Sequence, residues 1–160
     1  MEKALERVYN AKKISAFLKI ASHAAVAVGI LSYFCLLYLG YKESLLVLIK
    51  MVVFSALPFV LVSLARKIIN AKRPYEVYDF YIEKPKNKSG RSFPSRHVFS
   101  SFLIATLAYA FSPIFAFILC GVSIILAVAR VLLGIHFISD VVFGALIGIF
   151  SGAITVILIQ

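Results

Sequence analysis

Five long apolar runs, nearly free of charge, divide this chain: residues 15–40, 44–65, 94–111, 114–133 and 137–159. A helix needs roughly 20 mostly apolar residues to cross the hydrocarbon core of a bilayer, and each run comes close to that length. With 62% hydrophobic residues and a mean hydropathy of +0.98, the chain is too apolar for an ordinary soluble domain. The expected fold is therefore all-α, a polytopic transmembrane helical bundle of about five spans. The 160 residues then form one membrane-embedded domain, 1–160, with a single substantial polar connection at 66–97. Ahead of the first run, residues 1–14 alternate Leu5, Val8 and Ala11 with Glu2, Lys3, Glu6 and Arg7, the spacing of an amphipathic helix lying on the membrane.

A net charge of +10 would raise the question of nucleic acid in a soluble protein. Here the bases fall in two clusters, Lys3 to Lys19 at the start and nine between Arg66 and Arg96. Such clusters beside spans suit anionic headgroups and phosphate groups, so a membrane partner is expected and nucleic acid is not. Cys35 and Cys120 each sit alone in an apolar run and read as small buried hydrophobes. The apolar run after the basic N-terminus is long and lacks a small-residue cleavage site, so it reads as a retained span. Lys50 lies one to two turns inside the second run, where its long side chain can reach the interface, and Pro58 is a candidate kink. In the polar connection, Tyr75, Tyr78, Phe80 and Tyr81 suit an interfacial belt, while Lys84, Lys86 and Lys88 read as a solvated stretch. Small residues at Gly144, Ala145, Gly148, Ser151 and Gly152 predict close helix packing in the last span.

Ionisable groups at the edges of spans are costly and point to function. Arg66, Lys67 and Arg73 close the second span; Ser95, Arg96 and His97 open the third; Arg130 closes the fourth; His136 and Asp140 open the fifth. Because successive spans reverse direction, all of these ends face one side. If the fifth helix begins by His136, Asp140 lies four residues on along the same face, where it can accept a ring N–H. That contact fixes the tautomer and frees the other ring nitrogen as a nucleophile. The nearby guanidinium and ammonium groups match the charge and bidentate demand of a phosphoryl group. His97 supplies a second imidazole to protonate a leaving oxygen. Taken singly, each base reads more simply as a headgroup anchor, and His23 as a structural histidine; it is the gathering of the set on one side that points to chemistry.

Three segments carry a resemblance: Arg66-x6-Arg73-Pro74, Pro94-Ser95-Arg96-His97, and Ala129-Arg130-x5-His136-x3-Asp140. In order and spacing they resemble the Lys-x6-Arg-Pro, Pro-Ser-Gly-His and Ser-Arg-x5-His-x3-Asp motifs of the type 2 phosphatidic acid phosphatase superfamily, which includes the vanadium haloperoxidases. The resemblance implies a membrane lipid phosphatase working through a phosphohistidine. His136 would be the nucleophile, Asp140 its orienting partner and His97 the general acid. Arg66, Arg73, Ser95 and Arg130 would bind phosphate, with Lys67 and Arg96 beside them. It implies no metal and no cofactor. Three departures stand out: Arg66 for the lysine, unless Lys67 takes its place; Arg96 for the glycine, a cation that could hold a second phosphate or a headgroup; and Ala129 for the serine. Family members usually have six spans. A phosphomonoester lipid such as phosphatidylglycerophosphate or phosphatidic acid is the expected substrate. A polyprenyl diphosphate, phosphate transfer to another lipid, and a silent scaffold or lipid-binding subunit are the alternatives. On sidedness two expectations conflict: the bias of Lys and Arg puts the site at the cytoplasmic face, while bacterial six-span relatives work on the outer face.

Overall fold

The structure is a computed structural model, and it describes residues 2–78 and 89–160. The stretch Lys84, Lys86 and Lys88, with Phe80 and Tyr81, lies outside the described residues. Among the described residues the elements are all helical: α1 Glu2–Asn10, α2 Lys12–Glu43, α3 Leu45–Ile69, α4 Pro74–Val77, α5 Arg96–Ala108, α6 Pro113–Leu132 and α7 Ile138–Ile159. Four stretches are long and apolar enough to cross a membrane, Lys12–Glu43, Leu45–Val77, Pro113–Leu132 and Ile138–Ile159. On that ground the protein is an integral membrane protein.

The joints follow from local chemistry. Ser44, extended at φ −168°, reverses α2 into α3, and its hydroxyl accepts the Val47 N–H at 3.1 Å. Ser112 caps α6 in the same way, accepting from Phe115 N–H at 3.3 Å, with Pro113 in the first turn. Helix α3 runs through Pro58, which has no N–H to offer the Phe54 carbonyl. The buried Thr155 hydroxyl of α7 lies 3.5 Å from that carbonyl and 2.9 Å from the Ser151 carbonyl of its own helix. Lys50 reaches across to donate to the Leu158 carbonyl at 2.8 Å, in the last turn of α7, where a cation complements the helix dipole. The amphipathic segment is shorter than 1–14. It breaks at Ala11, and α1 folds against the bundle through Leu5, which is buried while Lys3 and Arg7 are exposed.

The third expected span is the main difference. Helix α5 has 13 residues, about 20 Å at 1.5 Å per residue, well short of the roughly 30 Å core. It is instead the central element, packed by α2, α3, α6 and α7. Val98, Phe99, Ser101, Leu103, Ala105, Leu107 and Ala108 are buried on several of its sides. A helix enclosed by protein need not match the bilayer's thickness, and turns at 109–112 complete the passage to α6. The outer surfaces of α2, α3, α6 and α7 carry exposed Phe17, Phe34, Leu61, Phe117 and Phe150, as helices facing lipid should.

Helices α5 and α7 form the most extensive pairing. A side chain at Gly144 would come within 2.7 Å of the Ser95 carbonyl oxygen, at Gly148 within 2.4 Å of the Phe99 carbonyl oxygen, and at Gly152 within 2.6 Å of Thr106 Cβ. These glycines, four residues apart, let the α7 backbone lie directly on α5, as the run of small residues predicts. The Ser101 and Ser123 hydroxyls pair at 2.6 Å between α5 and α6.

Candidate active site

The end of α3 and the two stems of the polar connection are stitched together. Asn70 leaves α3 in the left-handed region at φ 43°, and its side chain packs on Gly90, whose φ is +62°. A Cβ at Gly90 would stand 2.4 Å from Asn70 Oδ1, so glycine answers both the conformation and the close approach. The Glu76 carboxylate accepts from Arg73 N–H at 2.7 Å and from Gly90 N–H at 2.9 and 3.0 Å. Arg73 Nε donates back to the Gly90 carbonyl at 3.0 Å, and Ser92 N–H to the Ala71 carbonyl at 2.9 Å. Arg66 Nη1 donates to the carbonyls of Ser92, at 3.2 Å, and of Pro94.

On the other side, Gly134 at φ 65° turns the chain after α6, and the N–H groups of Ile135 and His136 donate to the Arg130 carbonyl at 3.1 and 3.3 Å. Helix α7 begins at Ile138, two residues beyond His136, so His136 and Asp140 meet by a route other than a shared helix face. Asp140 sits in the first turn and folds back over the helix start, where its carboxylate accepts the Phe137 N–H at 2.9 Å. There Oδ2 stands 3.4 Å from His136 Nδ1. Both side chains are almost fully enclosed, at 2% and 4% exposure. Burial pushes the His136 imidazole below the usual histidine pKa, against the pull of the Asp140 carboxylate, which favours protonation. Burial thus favours the neutral ring.

Two participants carried no signal in the sequence. Ser92, completely buried, donates its hydroxyl to Asp140 Oδ2 and lies 3.3 Å from His136 Nδ1. Glu76 orients Arg73 through the loop stems described above. Ser92 acts across 48 residues, and Glu76 joins Arg73, three residues before it, to Gly90, 14 residues after it, so the long-range part of each role leaves no local pattern.

One cavity of about 420 Å³ gathers most of the expected set: Arg66, Lys67, Arg73, Arg96, His97, Arg130 and His136 all line it, with Ser63, Tyr75, Ser89, Gly90, Arg91 and Ile135. Asp140 stands behind His136, and Ser95 behind the wall. Ser95 is fully buried, its N–H donates to the Asp140 carbonyl at 2.8 Å, and its hydroxyl has no hydrogen-bond partner among the described residues. Arg130 Nε is likewise buried without a partner. Among the described residues, no group of three or more His, Cys, Asp or Glu side chains is gathered to hold a metal.

A buried histidine backed by a carboxylate thus faces a cavity lined with cations. Residues 45–160 match the family model described as the PAP2 superfamily, and the chain belongs to that superfamily. No curated protein matches the chain. The crystal structure of Aquifex aeolicus LpxE is similar in fold, with a TM-score of 0.71 and 24% identity over 96% of this chain and 92% of that one. The crystal structure of the first transmembrane PAP2 type phosphatidylglycerolphosphate phosphatase from Bacillus subtilis aligns over 94% of this chain and 88% of that one, at 20% identity and a TM-score of 0.47.

Proposed function

We propose that this protein is a lipid phosphatase that hydrolyses a phosphomonoester lipid through a phosphohistidine at His136. The observation that carries the reading is the contact of His136 Nδ1 with Asp140 at the wall of a cavity lined by six side-chain cations. Nδ1 is engaged on the carboxylate side, which leaves Nε2 to attack phosphorus. An N–P bond forms as the P–O bond to the lipid breaks. His97, whose imidazole pKa burial and then Arg130 push down to about 3, is raised toward protonation by the bound phosphate dianion and gives the leaving oxygen its proton. Water, deprotonated by His97, then attacks the phosphohistidine, releasing phosphate and restoring both imidazoles. Arg66, Arg73 and Arg130 stabilise the charge on the transferring group. Arg130 Nε, buried without a partner among the described residues, is a donor that a bound phosphoryl oxygen would satisfy.

Superfamily membership and the apolar helices around the site support a lipid substrate. In detergent, the purified protein should release phosphate from phosphatidic acid or phosphatidylglycerophosphate, retain that activity in excess EDTA, and lose it to micromolar vanadate, which mimics the trigonal-bipyramidal phosphorus. Loss on chelation with recovery on adding a divalent ion would overturn the histidine mechanism.

The site opens at the cytoplasmic face in this reading. Lys3, Arg7, Lys12 and Lys13 begin the chain at the same end of the bundle as the site, whereas Lys42 is the base at the α2–α3 joint. Setting aside Arg66, Arg73 and Arg96 as bases explained by chemistry leaves Lys67, Lys72, Lys84, Lys86, Lys88 and Arg91 on the site side. In a variant lacking Cys35 and Cys120, a cysteine replacing Lys86 should resist a membrane-impermeant maleimide in intact cells and react after lysis. Labelling in intact cells would put the site outside.

A further inference from the structure

The charge of the cavity exceeds what one phosphomonoester requires. Six cationic side chains line it and, among the described residues, no carboxylate does; a phosphate dianion balances two. The cations also differ in how they are held. Arg66 and Arg73 are tied to backbone carbonyls of the loop, and Arg130 has its Nε buried. Arg96 is held only by its face. Its guanidinium carbon stands 5.2 Å from the centre of the Phe59 ring on α3, and it makes no hydrogen bond among the described residues. Stacking occupies the face of a guanidinium and leaves the in-plane N–H donors free, the arrangement that presents a bidentate fork to an oxyanion. Lys67 projects from the same helix as Phe59, two turns along, into the same cavity.

Arg96 also stands at a seam. It lines the polar cavity and, together with His97, a second cavity of about 240 Å³ whose other walls are mostly apolar, including Ile30, Phe59 and Leu126. An anion held there belongs to a molecule that is part hydrocarbon. We infer that Arg96, with Lys67, forms a second anion subsite, and that the preferred substrate is a lipid bearing another phosphate-type anion besides the phosphate that reacts. This rests on the phosphatase reading above and names the substrate class within it. The second anion is the inner phosphate of a diphosphate lipid, which leaves with the lipid when the outer phosphate transfers, or a phosphodiester in the headgroup; both offer the oxyanion that the fork recognises.

Paired substrates with equal tails separate the two sources: farnesyl phosphate against farnesyl diphosphate, and phosphatidic acid against phosphatidylglycerophosphate. For wild type, kcat/KM should favour the doubly anionic member of at least one pair, and the pair that responds identifies the source. R96Q should lower that ratio about tenfold or more, the scale of one charge-assisted contact, and R96K should restore part of it. Equal losses for both members of each pair would overturn the subsite and leave the phosphatase reading intact. A calorimetric arm needs no turnover: methylenediphosphonate should bind wild type more tightly than inorganic phosphate, and R96Q should lose most of that preference. An unchanged preference in R96Q refutes the subsite even if the protein hydrolyses nothing, an outcome that would itself refute the phosphatase reading.

Discussion

Replacing His136 with alanine is expected to lower phosphate release by about 10⁴-fold or more, the scale seen when a nucleophile is removed from a catalytic set. The reason is positional. Among the cavity-lining residues, only His136 has a carboxylate against Nδ1, with Oδ2 at 3.4 Å, and a serine hydroxyl at 3.3 Å steadying the same edge of the ring. His97 lines the same cavity but has no such backing among the described residues, so it is not expected to take over. His97→Ala should behave differently. It should cut turnover of an alkyl phosphate lipid by about 10²–10⁴-fold, the usual range for a general acid, but damage an activated aryl phosphate much less, because that leaving oxygen needs little protonation. Because His136 is 2% exposed, circular dichroism and a thermal melt in detergent must accompany the kinetics. Substantial turnover by a folded His136→Ala protein would sink the nucleophile assignment, and equal damage to both substrates by His97→Ala would sink the acid role.

Much of this fold is legible in the chain because lipid acts on long windows. Twenty apolar residues without a charge leave little choice but a span, and the runs at 15–40, 44–65, 114–133 and 137–159 each contain the core of an observed helix. The run at 94–111 opens on Pro94-Ser95-Arg96-His97 and is the least apolar of the five, and it yields a 13-residue helix enclosed by the other helices rather than one facing lipid. At the site, charged residues at span ends are conspicuous, so the cavity's cations and histidines can be picked out one by one. Ser92 and Glu76 cannot. A serine or glutamate in a polar connection has a default role in water, and only the closure of the loop brings Ser92 to Asp140, 48 residues away. Even the His136–Asp140 contact arises differently from its four-residue spacing: the helix starts at Ile138, and the carboxylate meets the ring by folding back over that start.

Fold and site are joined through the glycines of α7, and there a single methyl group is expected to act at a distance. A Cβ at Gly148 would stand 2.4 Å from the Phe99 carbonyl oxygen and 3.0 Å from the Leu103 nitrogen, both backbone atoms of α5 that cannot turn aside as a side chain can. Helix α5 must move away from α7, and such overpacking typically costs about 1–3 kcal/mol. The same two helices hold the chemistry together at their first turns, where Ser95 N–H donates to the Asp140 carbonyl at 2.8 Å. His97 rides on α5 and Asp140 on α7, with His136 just ahead of the start of α7 and in contact with Asp140. Displacement of about 1 Å between reacting groups is enough to cost on the order of 10²-fold in rate. Gly148→Ala should therefore lower both the melting temperature and kcat/KM, and Gly148→Leu should do so more severely. Gly121 in α6 is the control, since a Cβ there meets nothing within 4 Å. Gly121→Ala should leave activity unchanged and raise stability slightly, because alanine favours a helix over glycine by about 1 kcal/mol. If Gly148→Ala behaves like Gly121→Ala in melting and in turnover, the close α5–α7 contact is not what holds the two histidines in register.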